Sequence, residues 1–84
     1  MNTLPVVLDI NDVMEEGVYT VAAKSSPLAN DGMLVNILGD FDDMKYQTQL
    51  IYNSLGRKIC TRIRYWHENT PENKTPWYIR EDKI

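Results

Sequence analysis

His67 is the only histidine in the chain, and Glu68 follows it directly. An imidazole beside a carboxylate can serve general acid–base chemistry, but no nucleophile or orienting third group stands at a telling spacing. No catalytic residue is therefore assigned, and the reading is non-enzymatic. Cys60 is the only cysteine, which excludes an internal disulfide and a multi-cysteine metal site. Set in a strand-like stretch, it reads as a small hydrophobe and not as a reactive thiol. Asp40, Asp42 and Asp43 bring three carboxylates close together. Calcium needs six to eight ordered oxygens, and the rest of an EF-hand pattern is missing, so a solvated turn is expected, with no metal and no cofactor. Asn73-Lys74-Thr75 matches the glycosylation sequon, a three-residue pattern too short to carry weight.

Arg62, Arg64, Tyr65, Trp66, Trp77, Tyr78 and Arg80 form the most informative group. Arginine and large aromatics are the residue types enriched at binding hot spots. They could stack the apolar faces of sugar rings or unpaired bases. Tyr65, Trp66, His67 and Trp77 are the expected surface-facing binding patch, with Arg62 and Arg64 beside it. The competing reading makes the tryptophans core or inter-subunit residues and the arginines a solvated face.

These residues need a scaffold, and the local periods describe one. Asp9 to Gly17 reads as one or two helical turns, with Asp9 or Asn11 as cap, Ile10, Val13 and Met14 on one face, and Gly17 as the left-handed terminator. Gly17–Ala23 is β-branched and aromatic, and Ser25-Ser26-Pro27 stops it. After the Asn30-Asp31-Gly32 turn signal, Met33–Leu38 is a nearly continuous apolar run. Such a run suggests a strand buried on both faces, by its own chain or by a partner subunit. Gly39–Asp43 follows as a loop.

Lys45–Tyr52 and Lys58–Trp66 make the clearest hairpin. Tyr46, Thr48, Leu50 and Tyr52 share one face, and Lys45, Gln47, Gln49 and Ile51 the other; Ile59, Thr61, Ile63 and Tyr65 alternate with Lys58, Cys60, Arg62, Arg64 and Trp66. Asn53-Ser54-Leu55-Gly56 suits a type I turn with Gly56 in the left-handed position. His67–Pro76 is a polar loop, and Trp77–Arg80 a last short strand. The expected fold is mainly β: one small twisted antiparallel sheet, a single domain, and one short N-terminal helical turn.

Composition sets the outer limits. The 84 residues are 43% hydrophobic and 25% charged, which excludes a disordered tail. No apolar run approaches the ~20 residues of a membrane-spanning helix. The first residues, Met1 to Pro5, show neither a basic nor a long apolar stretch, so no secretory signal is expected. The net charge of -3 argues against broad nucleic-acid binding, which needs a basic surface. Residues 1–44 hold eight acids and one base, residues 45–84 four acids and eight bases. That asymmetry suits contacts between copies of the chain as well as simple interleaving on folding.

The order of these features resembles the pyocin knob domain of phage tail fibres and tailocin fibres. In that family a D-L-N-type turn, here Asp9-Ile10-Asn11-Asp12, leads to a G-x-Y strand, here Gly17-Val18-Tyr19. Gly32-Met33-Leu34-Val35, Tyr46-Gln47-Thr48-Gln49, Thr61-Arg62-Ile63-Arg64 and Pro76-Trp77-Tyr78 follow in the family's order, over about residues 8–80. The His67–Thr75 loop departs from it, replacing a shorter G-x-x-W turn. The resemblance implies a small β-rich virion module, commonly a homotrimer, in fibre assembly and host-surface attachment through a glycan or protein receptor. It marks scaffold positions and no active site. Two other readings stay open: a small mobile-element protein that binds and inhibits a host protein through its acidic half, and a single-stranded nucleic-acid binder using the Arg/aromatic strand.

Overall fold

The computed structural model describes residues 4–22 and 31–82. Six strands form one sheet in chain order: β1 (Val6–Val7), β2 (Gly17–Val21), β3 (Gly32–Phe41), β4 (Met44–Asn53), β5 (Lys58–His67) and β6 (Tyr78–Glu81). Every neighbouring pair is antiparallel except β1 with β2, which is parallel. The fold is mainly β as expected, but the sheet is mixed, because the short Val6–Val7 edge strand has no sequence signal of its own. No helix among the described residues is long and apolar enough to cross a membrane.

The expected helical turns shrink to one 3-10 turn, Ile10–Asp12, capped by Asp9, whose side chain accepts from the Asn11 N–H at 2.9 Å. Val13 is already extended, and Gly17 opens β2 instead of closing a helix. Three residues are too few to propagate a helix, and docking on the sheet decides their backbone. β2 stops at Val21, so Ala22 falls outside the strand, while Ala23 and Ser25-Ser26-Pro27 lie outside the described residues, as does Asn30.

β3 extends three residues beyond the apolar run, so Gly39, Asp40 and Phe41 belong to the strand and the β3–β4 hairpin turns on Asp42-Asp43 alone. Asp42 takes a left-handed φ of 54°, a conformation Asp tolerates better than most residues. At the other hairpin Gly56 has φ 81°, and Asn53 Oδ1 accepts the N–H groups of Leu55 and Arg57, both at 3.0 Å. This is the expected turn.

Among the described residues, one face of the sheet is covered and the other open. Residues 8–16 run across the covered face and seat Ile10 and Val13 against Val21, Leu34, Ile51 and Cys60. The molecule is 18 Å along its shortest axis, room for a single sheet and this one covering segment. Of the two covers expected for Met33–Leu38, the described residues supply one: Leu34 and Asn36 are buried, while Met33 and Ile37 stand exposed on the other side.

Candidate functional site

Strand register brings Gln47 opposite Arg64 and Gln49 opposite Arg62 on the covered face, with Asn36 opposite Gln49 on the next strand. Asn36, Gln47, Gln49 and Arg62 are all buried. Burying amides and a guanidinium is costly unless each finds partners, and here they do. Gln47 Nε2 donates to the Val13 carbonyl at 2.7 Å and to Asn36 Oδ1 at 2.9 Å, while its Oε1 accepts from Arg64 Nε at 2.8 Å. Gln49 Nε2 donates to the Ile10 carbonyl at 2.9 Å, and its Oε1 accepts from Arg62 Nε at 2.7 Å. Asn36 Nδ2 reaches the Glu15 carbonyl at 2.9 Å, and Arg62 Nη2 reaches Asn11 Oδ1 at 2.8 Å. No buried side-chain polar atom among the described residues lacks a hydrogen-bond partner.

The amide ladder explains how an irregular segment can lie on a sheet. Residues 10–15 have no sheet ladder to satisfy their carbonyls, so side-chain amides do it. The arginines supply the outer donors, and the Trp77 ring closes over both. The Arg62 guanidinium carbon lies 4.0 Å and that of Arg64 4.3 Å from the ring centroid. Burial lowers the Arg62 pKa to about 10, with Cys60 opposing that shift and Arg64 adding to it; burial lowers Arg64 as well. Both remain cations at neutral pH.

The sequence-predicted patch is thus divided. Arg62, Arg64 and Trp77 form one stack on the covered face. Trp66 lies on that same face farther along β5, 9% exposed, with the Lys74 ammonium 4.6 Å from its ring centroid. Tyr65 and His67 point to the opposite face. Tyr65 sits in a row of rings, 5.8 Å from Tyr46 and 6.0 Å from Tyr78 between centroids. His67 Nδ1 accepts from the Asn69 N–H at 3.1 Å and its Nε2 lies 2.7 Å from Asp43 Oδ2, so the ring ties two turns together. Asp40 pairs with Lys45 at 3.1 Å. No group of three or more His, Cys, Asp or Glu among the described residues is placed to hold a metal ion.

The His67–Pro76 loop folds back along β5. The Thr75 N–H donates to the Tyr65 carbonyl at 3.0 Å, and Thr75 Oγ1 accepts the Tyr65 N–H at 3.1 Å. This anchor carries Trp77 over the arginines and leaves a cleft of about 570 Å³ at the Trp66 end. Leu38, Trp66 and Pro71 give the cleft an apolar lining, and Glu16, Lys45 and Glu68 add charge. Glu16 Oε1 already accepts the Leu38 N–H at 2.9 Å. Trp66, 9% exposed, shows the cleft only an edge, so Leu38 and Pro71 supply most of its apolar lining, and the carboxylates beside them can take the hydroxyls of a polyhydroxylated ligand.

Sequence reasoning missed Asn36, Gln47 and Gln49, since amides in a strand ordinarily mark a solvated face. A signal was present: they alternate in phase with Ile51, Cys60 and the arginines, so the apolar face and the amide face are one. Compared with known proteins, the chain matches no protein family, no curated protein and no solved structure.

Proposed function

We propose that this chain is a non-enzymatic module of a phage tail fibre or related particle, acting in fibre assembly and host-surface attachment. The order of the Asp9–Asp12, Gly17–Tyr19, Gln47–Gln49, Arg62–Arg64 and Trp77 motifs along the chain supports the family resemblance. The observation that carries attachment is the cleft at Trp66, with its apolar lining and acidic side chains. Its chemistry suits a neutral or amine-bearing saccharide, because Glu16 and Glu68 repel a sulfated or uronic one. The nucleic-acid reading is weakened by the fate of Arg62 and Arg64, whose guanidinium faces already lie against Trp77.

The test is competition of phage adsorption by the purified module, together with amide chemical-shift mapping against host surface polysaccharide fragments. Attachment through the cleft predicts inhibition of adsorption and shifts at Leu38, Trp66 and Glu68, both lost in Glu68→Lys. Unchanged adsorption and no shifts around Trp66 would refute it.

A further inference from the structure

Among the described residues, none covers the face opposite the amide ladder. Register places Val18 beside Val35, Val35 beside Leu50, Ile37 beside Thr48, Thr48 beside Ile63, and Ile63 beside Tyr78. Met33, Phe41 and the Tyr46–Tyr65–Tyr78 row extend the same surface. Val18, Met33, Ile37, Phe41 and Tyr78 are 38%, 39%, 44%, 69% and 52% exposed, values unusual for so many neighbouring large hydrophobes on one face. Charge among the described residues is confined to its margin, at Arg80, at the Lys58–Asp82 pair, 3.5 Å apart, and at Asp43 beside His67.

We infer that this face is the interface with a second copy of the chain. The inference deepens the assembly half of the proposed function and rests on it. Strands of 2, 5, 10, 10, 10 and 4 residues, at about 3.3 Å per residue and 4.8 Å between strands, give a face of roughly 650 Å². Two such faces bury about 1,300 Å², within the ~1,200–2,000 Å² of a standard stable interface. Flat sheet faces pack well on other sheet faces, side chains interdigitating at about 10 Å. The central strands carry no charge on this side, so two copies meet without like-charge repulsion, although each chain has a net charge of -3. The same uncharged centre offers nothing to select a charged partner protein.

The experiment is light scattering after size exclusion across a dilution series of the purified full chain, with three variants. The wild type is expected at a multiple of 9.8 kDa above ~10 µM. Ile37→Lys should raise the dissociation constant by roughly 100-fold or more, because an unpaired ammonium would have to be desolvated. Leu55→Lys, in the β4–β5 turn and 90% exposed, should leave the mass unchanged. Thr48→Cys gives an independent readout should Ile37→Lys not fold: a bismaleimide should join copies through the centre of the face, with no such product from Leu55→Cys. A wild-type monomer at every concentration, or association unaffected by Ile37→Lys with no Thr48→Cys product, overturns the inference. These measurements need no receptor, so their failure is separable from failure of the adsorption test.

Discussion

Replacing Gln47 with leucine tests whether the amide ladder holds the N-terminal segment on the sheet. The side chain is fully buried and makes three hydrogen bonds. Leucine has nearly the same volume, so the cavity contribution is small and the polar one dominates. Two acceptors, the Val13 carbonyl and Asn36 Oδ1, would be stranded in a buried setting at about 1–3 kcal/mol each. The third bond, to the half-exposed Arg64, adds no more than ~1 kcal/mol after solvent screening. Burying leucine in place of an amide returns roughly 1–2 kcal/mol. The balance is a loss of about 3 kcal/mol, a large share of the ~4–13 kcal/mol expected for a domain of this length.

The assay is urea denaturation followed by tryptophan fluorescence, since Trp77 stacks on Arg64, which Gln47 positions. With a slope near 1 kcal/mol per molar urea, the midpoint should fall by about 3 M. Hydrogen exchange supplies the local readout: the Asp12 amide, bonded to the Asp9 carbonyl at 3.1 Å, should lose protection in Gln47→Leu before the β4–β5 amides do. A midpoint shift under ~0.5 M, the size of an ordinary surface substitution, would refute the idea that the ladder docks residues 10–15.

Further outcomes follow from other parts of the fold. Trp77→Leu removes two cation–π contacts and should cost roughly 1–3 kcal/mol, a drop of several degrees or more in Tm by calorimetry. Burial raises the Cys60 pKa more than Arg62 lowers it, with Asp82 and Glu81 adding to the rise. The unfolded thiol ionises near 8.5 while the folded one keeps its proton, so this group's contribution is constant below about pH 8 and is lost as pH rises through the folded value. Denaturation midpoints of wild type and Cys60→Ala should therefore converge above that range, and native-state labelling of Cys60 should be slow. Gly56→Ala meets no atom within 4 Å of the added methyl, so its cost is the left-handed backbone alone, about 1 kcal/mol by urea melt.

Period and turn chemistry were enough to place most of the strands. The alternation in Lys45–Tyr52 and Lys58–Trp66, with Asn53 to Gly56 between them, specifies a hairpin because both signals are local and agree. The pairings themselves could not be written down from it: a β-bulge at Ile51–Tyr52 shifts the ladder by one residue, and only then do Gln47 and Gln49 stand opposite Arg64 and Arg62. Which face is covered could not be written down either, because both carry apolar residues: Tyr46, Leu50, Ile63 and Tyr65 on one side, Ile51, Cys60 and Trp66 on the other. The decision is made by residues 8–16, whose carbonyls need donors that only the amide face can offer. The same contact limits the expected helix to three residues and pairs Val6–Val7 with β2 in parallel. It also draws Arg62, Arg64 and Trp77 into a structural stack and leaves Trp66 to line a cleft. Side-chain type showed which residues could bind; long-range hydrogen bonding, invisible in any short window, decided which of them are occupied holding the molecule together.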